Sequence, residues 1–163
     1  MSNTIVHSQI TQTRDFLNDV SGKVGGFLND ITLQQLVADN QDGNEEYFAR
    51  LLGNMRRLYV FCEEGLDACN VVLKGEKFRK GAAEKALYWV YHQCIQEFYS
   101  PRNDSWYEDS RSAYTGKNAI KFAEPAPTAI KELIASLEQS FQEMREELEY
   151  YETDYKTKML QSK

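Results

Sequence analysis

Residues 125–163 read PAPTAIKELIASLEQSFQEMREELEYYETDYKTKMLQSK and carry the strongest periodic pattern of the chain. Apolar side chains recur there at alternating intervals of three and four residues, at Ile134, Leu137, Phe141, Met144, Leu148, Tyr151 and Tyr155. This spacing predicts one long helix with an apolar face along one side. Because a single helix cannot bury such a face by itself, we expect other helices of the chain to pack against it.

Three further stretches carry apolar side chains at helical spacing. They predict helices from about Thr4 to Leu28, from Asn44 to near Gly75, and from about Phe78 to Tyr99. Asn44 is also a predicted N-cap, because its side chain can accept a hydrogen bond from the first turn of the helix that follows. Asp30 or Thr32 is a candidate cap for a shorter helix that runs through Val37, between the first two long ones.

Four apolar faces of comparable length predict an all-α fold. We expect an antiparallel helical bundle of about four long helices in a single domain over residues 1–163, with one long aromatic-rich loop before the last helix. The alternative is a coiled-coil oligomer in which one or two helices pair between chains. The oligomeric state, monomer or homodimer, therefore stays open.

The composition indicates the expected cellular compartment and the expected classes of partner. The chain has 163 residues, with 25 acidic against 19 basic side chains and a formal net charge of −6. Nucleic acid is not an expected partner, since phosphate binding without sequence preference depends on a cationic face. No apolar run approaches the roughly 20 residues that span a bilayer, and the N-terminus lacks the pattern of a signal peptide. We therefore expect a cytoplasmic protein that does not enter the membrane.

The residues that usually hold metals do not form a recognisable site. Bundle di-iron centres use Glu-x-x-His pairs, whereas Thr4 precedes His7 and Trp89 precedes His92 at that spacing. The three cysteines, Cys62, Cys69 and Cys94, are odd in number and form no Cys-x-x-Cys pair, so they are expected to be buried small apolar residues. No metal, cofactor or catalytic residue is predicted.

Helical periodicity disappears between residues 99 and 122. A loop of this length inside a small domain is often functional when it is ordered. Its aromatic residues predict that it packs on the protein, and they are Tyr99, Trp106, Tyr107, Tyr114 and Phe122. Residues 118–122 alternate polar and apolar and predict a short strand, which would need a partner strand. We expect this segment to be the recognition surface.

The candidate binding residues lie on this loop and on the helix before it. We expect Trp106 and Tyr114 to anchor the loop on Trp89, so that a rim of cations with one phenol can bind a small anionic ligand. The rim residues are Arg102, Tyr107, Arg111 and Lys117. The alternative is a structural clasp, in which the same cations pair with Asp104, Glu108 and Asp109.

Two stretches of the chain resemble a known family. SWYEDSRSAYTGKN at residues 105–118 and MREELEYYETDY at residues 144–155 are similar to the YpuI-like family of small uncharacterised proteins of Bacillus-type bacteria. The resemblance implies a cytoplasmic bacterial protein. It transfers no activity and no catalytic residue, because none is assigned to the family.

A shorter resemblance supplies an alternative function. Arg102 and Asn103 are similar to the start of the Arg-Asn-x-x-x-His motif of HEPN domains, which are all-helical and include ribonucleases. Tyr107 stands where that motif has His, which removes the obvious acid or base. The alternative is therefore a degenerate HEPN-like nucleotide-binding or ribonuclease domain.

The function predicted from the sequence is an interaction or regulatory helical module that uses the 99–122 loop to recognise a protein partner. A small anionic ligand is the other expected partner. Whether the protein is also an enzyme stays open, although the absence of a catalytic pattern favours a non-enzymatic role.

Overall fold

The computed structural model describes residues 1–109 and 119–162, and most of them are helical. The elements in chain order are α1 (Asn3–Asp30), α2 (Leu33–Asp39), α3 (Glu45–Lys74), α4 (Lys80–Val90), α5 (Gln96–Tyr99), β1 (Trp106–Glu108), β2 (Ile120–Phe122), α6 (Thr128–Glu147) and α7 (Asp154–Gln161). The prediction of an all-α fold is confirmed at this level, with one small two-stranded sheet added.

Asn44 is the N-cap of α3 as predicted, and of the two candidates for α2 it is Thr32 that caps the helix, while Asp30 is the last residue of α1. The Thr32 side chain accepts a hydrogen bond from the Gln35 backbone amide, and the Gln35 side chain accepts one in return from the Thr32 amide. This reciprocal pair satisfies amides that the first turn of α2 leaves without partners. Asn44 caps α3 in the same way, by accepting from the Tyr47 amide at 3.2 Å.

One hydrophobic cluster takes buried side chains from every helix and from both strands. The longest packing contact joins α1 to α3, and α4 lies against both. Gly65 permits this close approach, because a Cβ there would stand 3.1 Å from Leu17 and from Val90. The helices therefore share one core, to which α6 adds the buried face predicted from its sequence.

The sequence predicted one continuous last helix, but this helix breaks after Glu147. A 3₁₀ turn at Glu149–Tyr151 separates α6 from α7. The break frees the carbonyl of Tyr151, which accepts a hydrogen bond from Nε2 of His92 at 2.9 Å. The hydroxyl of Tyr151 donates to Gln9 at 3.3 Å. Bonds to two other helices thus replace part of the helical ladder that the apolar periodicity predicted.

The third predicted helix also has an irregular centre. A π-helical turn at Tyr91–Ile95 joins α4 to α5, and it directs Tyr91, Cys94 and Ile95 into the core. The thiol of Cys94 donates a hydrogen bond to the carbonyl of Phe61 on α3, with a sulfur-to-oxygen distance of 3.1 Å. Such a turn inserts one extra residue into the helix, and π-helical turns often occur at functional sites.

Within the described residues, no helix is both long enough and apolar enough to cross a membrane.

The core assignment predicts the effect of truncating Leu137. Its side chain is fully buried on α6, so Leu137→Ala leaves a cavity and is expected to lower the free energy of unfolding by about 2 to 5 kcal/mol. Glu149→Ala is the control, because Glu149 is exposed and its loss should change that free energy by less than about 0.5 kcal/mol. Urea denaturation measures both, and equal small losses would contradict the shared core.

The buried cysteines predict slow thiol chemistry in the native protein. Burial raises the pKa of Cys69 to about 12, and a hydrogen bond with Cys62 together with burial raises the pKa of Cys94. Because the thiolate is the reactive form, a thiol reagent is expected to label these residues only after unfolding, even at about pH 9. Labelling followed by mass spectrometry measures this, and rapid native labelling of any of the three would place it in contact with solvent.

Candidate functional site

The turn that follows α5 is hydrogen-bonded to α3. The hydroxyl of Tyr47 donates to the carbonyl of Ser105 at 2.6 Å. The Asn54 amide group donates to the carbonyl of Arg102 at 3.0 Å and to the hydroxyl of Ser105 at 2.8 Å. Asn54 is only 7% exposed, so these bonds lie in a largely water-excluded layer. The start of the 99–122 segment is therefore held against α3.

Trp106 fixes the next part of the segment in the core. The side chain is 0% exposed, and its indole nitrogen donates to the carbonyl of Phe98 at 2.6 Å. Its ring lies 6.4 Å from the ring of Phe122, its partner residue in the pairing of β1 with β2. Trp106 therefore anchors the start of the 99–122 segment in the core and has no exposed surface that a ligand could contact.

The turn itself has an unusual backbone. Asn103 and Asp104 have φ angles of 61° and 48°, in the left-handed region that side chains other than glycine rarely adopt. The hydrogen bonds from Asn54 to the residues on either side hold this conformation. Arg102 and Asn103 of this turn line a pocket together with residues of α3.

This pocket, which we call the arginine pocket, has a volume of about 370 Å³. Its lining consists of Arg50, Gly53, Asn54, Arg57, Arg102 and Asn103. The four residues from α3 follow helical spacing and so share one side of that helix. Two elements that are about fifty residues apart in sequence therefore contribute three arginines to the lining of one pocket.

Two of the three guanidinium groups are held by carboxylates. Arg57 pairs with Glu97 of α5 at 2.7 Å, and Arg50 pairs with Glu124 at 3.2 Å. Arg102 is exposed and forms no ion pair with a residue in the described ranges. The pocket therefore combines two oriented cations with a third whose charge is not neutralised within the described part of the chain.

The carboxylate of Glu108, one of the residues expected in a clasp, has a different partner. Glu108 accepts two hydrogen bonds from Arg145 of α6, at 2.9 and 2.7 Å. The same guanidinium lies 3.7 Å from the centre of the Tyr99 ring. Burial lowers the pKa of Arg145, but the hydrogen bonds to Glu108 together with electrostatic interactions with Tyr99, Glu108 and Tyr91 outweigh it, so the pKa lies above its ordinary value. This pair joins the hairpin to α6 without using Arg102.

The remaining predicted site residues lie in separate places. Trp89 contacts Phe61, with 6.2 Å between the ring centres, whereas Trp106 lies against Phe98 and Phe122. Tyr107 is 46% exposed on the hairpin and is not part of the arginine pocket. Three predicted residues lie outside the described residues, and they are Arg111, Tyr114 and Lys117.

Sequence reasoning missed Arg50, Asn54 and Arg57. Their spacing on a predicted helix already places them on one side of it. Nothing local to that helix, however, indicated that Arg102 would lie opposite, because the pairing depends on the fold of the turn. The available signal was a pair of arginines seven residues apart on the polar side of an amphipathic helix.

The pocket is suited to binding rather than to acid–base chemistry. No His, Cys or carboxylate occurs among its described lining residues. His92 is hydrogen-bonded to Tyr151, and the ring of His7 lies 4.9 Å from that of Phe78. The described residues also contain no group of three or more His, Cys, Asp or Glu side chains arranged to hold a metal ion.

The hydrogen bond from Tyr47 predicts a local effect on the turn. Tyr47→Phe removes one of two bonds to the Ser105 carbonyl, since the amide of Ala123 also donates there at 3.1 Å. We expect a loss of about 0.5 to 1.5 kcal/mol of unfolding free energy and faster amide exchange in β1. Hydrogen–deuterium exchange measures this against Tyr107→Phe, whose exposed hydroxyl should matter little. Unchanged exchange in Tyr47→Phe would mean that this bond does not hold the turn.

Comparison with known proteins assigns the chain to a family. A family model described as a protein of unknown function (DUF3907) matches residues 10–157. The chain is 43% identical over 152 residues to the uncharacterized protein YpuI of Bacillus subtilis (strain 168), and the match covers 93% of this chain and 84% of that protein. No solved structure matches the chain. The chain therefore belongs to this family of unknown function, as the resemblance of residues 105–118 and 144–155 to YpuI-like proteins implied.

Proposed function

We propose that this protein is a recognition module that binds an anionic group in the arginine pocket. The observation that carries the proposal is the position of Arg102, which lies opposite Arg50 and Arg57 and has no carboxylate partner in the described part of the chain. A phosphate or carboxylate group is the ligand that a guanidinium fork fits best, because it can accept two parallel hydrogen bonds.

The surroundings of the pocket support binding of a small anion. Arg50 and Arg57 each lie over an aromatic ring, at 5.7 Å from Tyr47 and 4.8 Å from Phe61. Together with their carboxylate partners, these rings restrict both guanidinium groups, so less conformational entropy is lost when a ligand binds. The net charge of −6 over the whole chain, with Arg102 as the one pocket arginine that has no carboxylate partner in the described residues, favours a compact anion over an extended polyanion.

The other parts of the proposal are those that the sequence predicted. In this proposal the protein is cytoplasmic and forms a single domain, an antiparallel bundle of about four long helices, as a monomer or a homodimer. The 99–122 segment is its recognition surface, and the arginine pocket lies at the start of that segment. A protein partner for the rest of the segment stays a prediction.

The ribonuclease alternative receives no support from the lining of the pocket. Arg102 and Asn103 line it, but Tyr107, at the position of the motif histidine, does not. Because the described lining residues include no His, Cys or carboxylate that could act as a general acid or base, binding is the simpler function.

Arg102→Ala tests the proposal. We expect it to weaken binding of inorganic pyrophosphate at least tenfold, because a hydrogen bond to a charged group contributes about 1.5 to 3 kcal/mol. The melting temperature should change little, since Arg102 is exposed and contributes only its backbone carbonyl to the contact with Asn54. Isothermal titration calorimetry at low ionic strength measures the binding.

Arg56→Ala is the matched control for charge. Arg56 is exposed on α3 and adjoins Arg57 in sequence, but it does not line the pocket. It should leave pyrophosphate binding within about twofold. Equal losses in the two variants would indicate a diffuse charge effect instead of a site, and no binding by the unmodified protein would overturn the proposal.

A further inference from the structure

Two aromatic side chains continue the surface of α3 beyond the arginine pocket. Phe61 lies one helical turn after Arg57, and its ring is 4.8 Å from that guanidinium. Trp89 of α4 meets Phe61 edge to face at 6.2 Å between ring centres. Both rings are only partly buried, so they retain surface that a ligand can contact. We call Phe61 and Trp89 the aromatic pair.

The aromatic pair and the arginine pocket belong to one continuous surface. Arg57 is shared by both, since it lines the pocket and also covers the Phe61 ring. The helical rise places Phe61 about 6 Å further along α3 than Arg57. Glu97 of α5 holds Arg57 from the other side at 2.7 Å. A ligand that places its anionic group in the pocket therefore has flat apolar surface within its reach.

We infer that the ligand of this surface is a free nucleotide, with its phosphate in the arginine pocket and its base against the aromatic pair. This inference rests on the proposed function and names its ligand class. Any of the bases can stack on an aromatic side chain, while arginines bind the phosphate. The combination of a cationic pocket with adjacent aromatic rings matches the two chemically different halves of a nucleotide.

The charges around the aromatic pair favour a free nucleotide over a longer nucleic acid. Glu63 and Glu64 follow Phe61 closely on α3, and Glu97 of α5 is paired with Arg57. These carboxylates and the net charge of −6 repel the further phosphates of a polynucleotide. A single phosphate group can pair with Arg102, the one arginine of the pocket without a carboxylate partner in the described part of the chain.

Adenosine monophosphate and ribose 5-phosphate form a matched pair of probes, because they share the phosphate and the sugar and differ in the base. We expect adenosine monophosphate to bind about tenfold more tightly, owing to stacking of its base. It should also quench tryptophan emission, and that change reports on Trp89, since Trp106 is fully buried. Ribose 5-phosphate should bind without a comparable change in emission.

Two variants separate the halves of the site. Trp89→Leu should reduce the affinity for adenosine monophosphate to about that for ribose 5-phosphate and leave the latter affinity unchanged. Arg102→Ala should weaken both ligands by a similar factor. Circular dichroism checks that each variant is folded, and if Trp89→Leu does not fold, the two ligands compared on the unmodified protein decide the question.

The outcomes distinguish this inference from the proposed function. Equal affinities for the two ligands, with no change in emission, would overturn the nucleotide inference and leave the anion site in place. Failure of adenosine monophosphate, ribose 5-phosphate and pyrophosphate to bind would overturn both. Binding of hexa-adenylate more tightly than the mononucleotide would assign the surface to RNA and overturn the inference of a free nucleotide.

Discussion

The turn after α5 must find partners for its backbone carbonyls inside the protein, and α3 supplies them. Tyr47 and Asn54 donate to the carbonyls of Ser105 and Arg102, in surroundings where a lost bond would leave a polar group without water. Trp106 donates its indole hydrogen to the carbonyl of Phe98 in the same layer. Because these donors satisfy it, the segment can leave the helical pattern, adopt two left-handed residues and still remain in contact with the core.

The same constraint produces the candidate site. When Asn54 holds the turn, Arg102 is brought opposite the residues one turn before and one turn after Asn54 on α3, which are Arg50 and Arg57. The packing that orders the segment thus also concentrates positive charge, in a protein whose total charge is negative. Glu97 and Glu124 restrain two of these cations, and this restraint is what distinguishes a prearranged pocket from a scatter of surface arginines.

Apolar periodicity predicted the helices but did not predict where they are interrupted. The faces of α1, α3 and α6 are buried as their spacing predicts, because burial of apolar surface dominates the free energy of folding. The break after Glu147 leaves the spacing of buried residues almost unchanged, since both Leu148 and Tyr151 still face the core. The same pattern of buried residues fits a continuous helix and a helix that is interrupted. It does not reveal that a backbone carbonyl, here that of Tyr151, accepts a hydrogen bond from His92.

The sequence by itself determined the helical class, the start of α3 at Asn44, the burial of the cysteines and the presence of an aromatic segment between residues 99 and 122. These follow from local preferences and from the sorting of apolar side chains out of water. The tertiary structure alone decided that Trp106 is buried near Phe98, that Glu108 pairs with Arg145, and that Arg102 faces α3. Each of these contacts depends on a specific donor and acceptor brought together by the fold, and such pairs leave no periodic signal in the chain.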